Sequence, residues 1–235
     1  MLIEVFASGS GGNSYYCSDG QTSLLLEAGL RENALKNLLW QNNIMMANLD
    51  GCLVSHFHND HSASAAYLSK MGVTILASKE TLDAVGGIVR KKALRDWEQT
   101  SFFTFDILPF SVEHDCPGAL GFLLQSKVTG EKLLYATDTY YLKVKIPNVD
   151  YLMIEANYDL DIMRKNVNED RLNEALAKRI LQSHMSINHL VDALKAADLS
   201  KLQAVYLMHL SDDNSNAEEF KDKVRRVTGV RVIVC

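Results

Sequence analysis

Seven short apolar runs punctuate the chain: "TSLLLEAG" (22–29), "GCLVSHFH" (51–58), "VTILAS" (73–78), "KLLYATD" (132–138), "DYLMIEAN" (150–157), "AVYLMH" (204–209) and "VRVIVC" (230–235). Each has the length of a strand, and most lack polar alternation, the pattern of strands buried on both faces. Helices must cover those faces, and helical stretches are predicted between the runs at 31–41, 62–71, 79–86, 170–182, 187–197 and 216–228. Several carry their own ends: Asp170 and Ser186 are placed as N-caps, Asn216 opens the last helix and Gly229 closes it. Strands alternating with helices predict an α/β layered fold. With 235 residues, three prolines and no linker-like stretch, the expected organisation is a single domain over 1–235.

The amino terminus "MLIEVFASGSGG" breaks into glycine and serine and lacks a basic start, so no signal peptide is expected. No apolar run reaches the roughly 20 residues of a spanning helix. A cytoplasmic protein without a membrane partner is therefore expected. Cys17, Cys52, Cys116 and Cys235 form no C-x-x-C pair, which points to reduced thiols rather than a disulfide framework or a zinc ribbon. The formal charge of -5 excludes a surface that is basic all over, but leaves room for a local basic path to an anionic partner.

Glu27, His56, Asp138, Glu155 and His209 each stand at or just past the carboxyl end of an apolar run, where ligand sites gather in open α/β sheets. "SHFHNDH" (55–61) places three of the chain's seven histidines beside Asp60. Alternate residues of a turn face one point, so His56 and His58 are expected to share one cation while Asp60 and His61 face another. Imidazole suits zinc, iron and copper, and carboxylate widens the choice to manganese. His114, Asp138 and His209 follow later apolar runs and supply more ligands. A carboxylate has two oxygens, which makes Asp138 the natural bridge between two cations. Cations about 3.5–4 Å apart clamp an attacking hydroxide and a leaving oxygen, the chemistry of a binuclear hydrolase. A lone histidine is more often a satisfied surface or core residue, and His189, inside a helical stretch, is read that way.

H-x-H-x-D-H at 56–61, followed in order by His114, Asp138 and His209, resembles the signature of the metallo-β-lactamase fold. The likeness runs from "ASGSGGNS" (7–14) to the last strand. With "IEANYD" (154–159), "KRILQSHMS" (178–186) and "MHLSDDN" (208–214), that first segment is most similar to the YycJ/WalJ-like branch of bacterial hydrolases, linked to cleavage of DNA phosphodiester bonds. The resemblance implies a four-layer αββα sandwich with two divalent metal ions, zinc or manganese, at one edge. It implies His56, His58 and His114 on one cation, Asp60, His61 and His209 on the other, and Asp138 between them. Where the family's first motif usually ends its strand in aspartate, this chain has Glu27. That position orients ligands by hydrogen bonds, and changes at such positions cost about 10–100-fold in affinity or activity.

Three further segments bear on the substrate. In "ASGSGGNS", Ser10, Asn13 and the backbone N–H groups are expected to hold a phosphate, although glycine-rich turns more often only reverse the chain. In "SHMS", Ser186 begins a helix whose free N–H groups favour an anion. His184 beside it is expected to bind the scissile phosphate or protonate the leaving oxygen, the plainer alternative being a helix cap. In "RKKALR", Arg90, Lys91 and Lys92 either follow a phosphate backbone or form a solvated helix face; Arg164, Lys165, Lys178 and Arg179 are a second such set. The reading is a metal-dependent phosphodiesterase or nuclease acting on DNA, with a bridging hydroxide held by Asp60 and Asp138 and assisted by His184. The alternatives are an ester, thioester or lactone hydrolase on the same fold and a metal-stabilised nucleic-acid-binding protein without turnover. A β-lactamase is disfavoured because many of those enzymes carry cysteine where Asp138 stands, and a di-iron redox protein would carry glutamate in place of His58.

Overall fold

Consecutive leucines at 24, 25 and 26 are all fully buried in the computed structural model, which describes residues 1–235. A strand without a solvent face is what the uninterrupted apolar run implies. The chain divides into two units, Met1–Ser111 with Cys116–Glu131, and Val112–Asp115 with Lys132–Cys235.

The first unit runs β1 (Leu2–Ala7), β2 (Ser14–Ser18), β3 (Ser23–Leu26), α1 (Glu32–Gln41), a short 3-10 turn, β4 (Gly51–Leu53), α2 (Asn59–Ser62), α3 (Ala65–Lys70), β5 (Thr74–Ser78), α4 (Lys79–Val85), β6 (Lys91–Leu94), β7 (Thr100–Phe102), β8 (Phe105–Ser111) and β9 (Leu120–Ser126). Strands β1 to β6 lie side by side in sequence order. The first three are antiparallel and the rest parallel. Leu25, Cys52, Val54 and Ile75 pack with Leu35, Leu39 and Leu68 of the covering helices. Strand β4 begins with glycine because the Phe102 ring lies on it: a Cβ at Gly51 would sit 2.7 Å from that ring. Strands β7, β8 and β9 form an antiparallel meander.

The second unit runs β10 (Lys132–Ala136), β11 (Tyr151–Glu155), α5 (Leu160–Asn168), α6 (Glu174–Ser183), α7 (Ile187–Lys195), β12 (Ala204–Met208), α8 (Ala217–Thr228) and β13 (Arg231–Val234). Its four strands are parallel. Leu134, Leu152, Val205 and Val232 align across them in one row, all buried. Parallel strands need crossovers, and the helices supply them. No helix is long and apolar enough to cross a membrane.

Ser186 caps α7 and Asn216 caps α8, while Gly229 ends α8 in the left-handed region, as the sequence indicates. Three expectations need correction. Asp170 is not a cap: α6 starts later, with the Asn173 side chain accepting from Ala175 N–H, because the chain must first bring Leu172 onto Tyr158 and Met163. The helix expected over 62–71 is broken, with α2 beginning inside the histidine motif at Asn59. The break falls at Ser64, whose N–H and hydroxyl both donate to the Ala28 carbonyl. "RKKALR" is not a helix face: Lys91–Leu94 is the edge strand β6, where lysines guard an open row of backbone groups against further pairing. Helix α5 was not expected from the sequence. Its apolar stripe is thin, and the Asp159 cap, accepting from Asp161 and Ile162 N–H, starts it.

Asp19 closes the turn between β2 and β3. It accepts from the Thr22 and Gln21 N–H groups and from the Thr104 and Ser126 hydroxyls, the last two at 2.7 and 2.8 Å. Burial opposes its charge, but these donors outweigh burial and hold its carboxyl below the usual aspartate range. A depressed folded-state pKa means stability present above about pH 4 and lost as pH falls through the lowered value. Asp19→Asn is expected to cost about 1.5–3 kcal/mol at pH 7. Urea midpoints taken from pH 7 downward should show the gap to the native chain closing in acid.

Candidate metal centre

In the first unit the chemistry begins where β3 and β4 end. Glu27 follows β3 in a left-handed conformation, φ 67°, which a residue with a Cβ adopts only when its surroundings require it. The turn carries its fully buried carboxylate back under the motif. There Oε2 accepts from Ser55 N–H at 3.1 Å and lies 3.6 Å from His61 Nδ1. Past β4, the Ser55 hydroxyl meets His56 Nδ1 at 2.9 Å, so Nε2 is the nitrogen presented to the site. It lies 3.1 Å from His58 Nδ1. His61 Nε2 lies 3.3 Å from Asp60 Oδ2. His56 and His61 are buried, while His58 and Asp60 are half-buried. The motif thus offers one nitrogen pair and one nitrogen–oxygen pair, the donor types of a borderline divalent cation. Cys116, which sequence reasoning left as a plain thiol, places its sulfur within 4.8 Å of the His56 and His58 donor atoms.

The glycine segment is packed against this motif. Asn13 N–H donates to Asp60 O at 2.8 Å, Gly29 N–H to Asn13 O at 2.9 Å, and Ala28 N–H to His61 O at 2.8 Å. A Cβ on Gly29 would fall 1.7 Å from Asp60 O, so only glycine allows the approach. Asn13 is fully buried. Its Oδ1 accepts from Gly9 N–H, and its Nδ2 donates to Gly9 O and Asp60 O and lies 3.2 Å from His61 Nε2. Ser10, by contrast, is exposed on the turn. The contacts of the basic edge strand run elsewhere: Arg90 donates to Gly72 O and Lys92 to Ser101 O, and Lys91 is exposed.

In the second unit Asp138 and His209 follow β10 and β12, both in the left-handed region at φ 48° and 54°. The two oxygens of Asp138 face different histidines, Oδ2 lying 3.8 Å from His114 Nε2 and Oδ1 3.6 Å from His209 Nδ1. Beneath them is Glu155, fully buried at the end of β11. Its Oε1 meets His184 Nδ1 at 2.5 Å and His209 Nδ1 at 3.2 Å. Its Oε2 accepts from the N–H groups of Thr139 at 3.1 Å and Met185 at 3.2 Å. Burial pushes against ionisation of Glu155, but the His184 charge and the hydrogen bonds from His184 and His209 prevail and lower its pKa. His184, at the end of α6, is the counterpart: burial disfavours its cation, yet the Glu155 charge and hydrogen bond raise its pKa. The rings of His184 and His209 are stacked, with centroids 5.2 Å apart. Ser186 is buried and caps α7 through His189 N–H. Arg164 pairs with Asp161, and Arg179 with Asp115.

Asp138, Glu155, His184 and His209 bring donor atoms within 4.8 Å of one another, a mixed nitrogen and oxygen set that fits a divalent cation. Glu155 is the functional residue that sequence reasoning noted at a strand end but did not place in the site. Its signal was position, the same strand-end placement as Glu27, Asp138 and His209.

The β-lactamase superfamily domain matches residues 24–210. The exodeoxyribonuclease WalJ of Streptococcus pneumoniae is 30% identical over 229 residues, covering 91% of this chain and 83% of that protein. The exodeoxyribonuclease YycJ of Bacillus anthracis is 27% identical over 240 residues, covering 97% and 89%. The metallo-β-lactamase fold protein YhfI of Bacillus subtilis superposes with a TM-score of 0.75 at 16% identity, over 99% of this chain and 95% of that one. The expected α/β metallo-β-lactamase fold is met. The chain belongs to the β-lactamase superfamily, alongside the WalJ and YycJ exodeoxyribonucleases, and is a metal-dependent hydrolase.

Proposed function

We propose that the protein is a DNA phosphodiesterase of the cytoplasm, working with two divalent cations, zinc or manganese, as one metallo-β-lactamase-fold domain. The observation that carries this reading is Asp138, whose two oxygens face His114 and His209 separately, as a bridging carboxylate requires. In this reading His56, His58 and His114 hold one cation, Asp60, His61 and His209 hold the other, and Asp138 belongs to both. Bound there, the cations supply Lewis-acid charge and lower the pKa of a water toward 7.

The chain's own groups do the rest. Asp60 and Asp138 orient the attacking water through their carboxylates. Glu27 fixes the His61 ring from behind, and Asn13 ties the glycine segment to the same histidine, leaving Ser10 on the exposed turn to meet a phosphate. His184 delivers a proton from Nε2 to the leaving oxygen. Glu155, on Nδ1, sets the tautomer and balances the imidazolium charge, a histidine–carboxylate pairing with the logic of other acid–base dyads. Ser186 contributes by capping α7, which fixes the backbone next to His184. The two exodeoxyribonuclease relatives support DNA as the substrate.

End-labelled double- and single-stranded DNA, given to metal-stripped protein resupplied with manganese or zinc, tests the reading. Metal-dependent cutting is expected, and His58→Ala should abolish it; undiminished cutting by that variant would refute the assignment. His184→Ala is expected to lower kcat by about 10²–10⁴-fold with metal content intact, as metal analysis would check. Glu27→Gln keeps the acceptor for Ser55 N–H but removes the charge near His61. It should weaken metal binding about 10–100-fold in competition with a chromogenic chelator.

A further inference from the structure

Two and three residues past Asp138 the chain exposes adjacent aromatic rings, Tyr140 at 39% and Tyr141 at 55%. From there Leu142–Ile146 folds against Met185 and α7 and encloses a cavity of about 530 Å³, within the roughly 300–1,000 Å³ of small-ligand sites. Its floor is apolar, made by the buried Leu142, Ile146 and Met185. Its rim carries Tyr141, Lys143 and Lys145, with Asp192 as the one acidic residue of the lining.

Glu155 ties this cavity to the candidate acid. The carboxylate whose Oε1 holds His184 accepts, on Oε2, the N–H of Thr139, which leads into the segment, and the N–H of Met185, which walls the cavity. The segment is also pinned beside His114: Tyr140 N–H donates to Glu113 O at 3.2 Å, and Lys143 pairs with the Glu113 carboxylate. The Thr139 hydroxyl donates to Tyr141 O at 2.7 Å. A preformed apolar slot is therefore walled by Met185, the next residue in the chain after the proton donor, and by a segment that begins a few residues after Asp138.

Exposed aromatics interleaved with lysines are the makings of a single-strand nucleic-acid groove, where bases stack on rings and lysines meet phosphates. We propose that this cavity is a nucleotide subsite. An unpaired base next to the scissile bond enters over Leu142 and Ile146 and stacks on Tyr141, and Lys145 meets the flanking phosphate. Asp192 repels phosphate but accepts from an exocyclic amino group, so the base rather than the backbone faces it. The assignment rests on the phosphodiesterase reading, and it names the feature of DNA that the site grips.

The test uses metal-loaded protein and single-stranded oligonucleotides carrying 2-aminopurine at either end, whose fluorescence is quenched by stacking. Hydrolysis of DNA is read alongside that of bis(p-nitrophenyl) phosphate. Quenching is expected with the native protein and should be lost in Tyr141→Ala, restored in Tyr141→Phe, and weakened in Lys145→Ala. Tyr141→Ala should lower the ratio of kcat/KM for DNA to that for the small diester by about 5–150-fold, as loss of one stacked base implies. Undiminished quenching and an unchanged ratio in Tyr141→Ala would overturn the subsite, as would hydrolysis by the native protein without any quenching. Quenching that depends on Tyr141 in a native protein that cuts neither substrate would uphold the subsite and sink the phosphodiesterase reading.

Discussion

Taking a carboxylate fully out of water costs several kcal/mol unless donors and positive charge replace its hydration. This chain does so twice, at Glu27 and Glu155. The replacements have the same form in both units. Each glutamate accepts a backbone N–H from just beyond a neighbouring parallel strand, Ser55 after β4 for Glu27 and Thr139 after β10 for Glu155. Each also lies beside histidine rings, His61 for the first and His184 with His209 for the second. A buried anion of this kind fixes its strand ends, since moving either end would strand the charge. At Glu155 the anion also raises the pKa of the neighbouring His184 ring against the effect of burial.

The backbone around these anions is strained in a consistent way. Glu27, Asp138 and His209 are all non-glycine residues with positive φ within two residues of the end of a parallel strand. Left-handed geometry costs of order 1–3 kcal/mol at such residues, and hydrogen bonds to the backbone hold it at Glu27 and His209. Glu27 N–H donates to Leu53 O, and Asn157 Nδ2 donates to His209 O at 2.8 Å. The reversal turns side chains that would have continued along the strand back over its end. Strain and chemistry are thus placed at the same residues.

The parallel strands other than β6 and most helices were legible because they rest on local signals: uninterrupted apolar runs, capping residues at Ser186 and Asn216, and a glycine at 229. The metal motif was legible for a different reason, since few roles other than ligation call for four such side chains between 56 and 61. What escaped was set by tertiary contact. Asp170 and Asn173 are both good caps, and only the packing of Leu172 on Tyr158 and Met163 decides between them. "RKKALR" has no periodicity that separates a helix face from an edge strand, and pairing with β5 settles it. Asn13 and Ser10 read alike in a glycine-rich turn. Burial separates them, because Gly29 lets the Asp60 backbone close over Asn13.

The glutamate at 27, where aspartate is usual in the family, looks at first like a weakening of the site. The geometry argues otherwise. The longer side chain still delivers one oxygen to Ser55 N–H and keeps it near His61 Nδ1. Glu155 performs the parallel task in the second unit with a side chain of the same length, holding two N–H groups on one oxygen and two imidazoles on the other. A carboxylate set back by one more carbon is therefore compatible with orienting histidines in this protein. What matters at residue 27 is that a carboxyl group is buried there with its donor in place, and that condition is met.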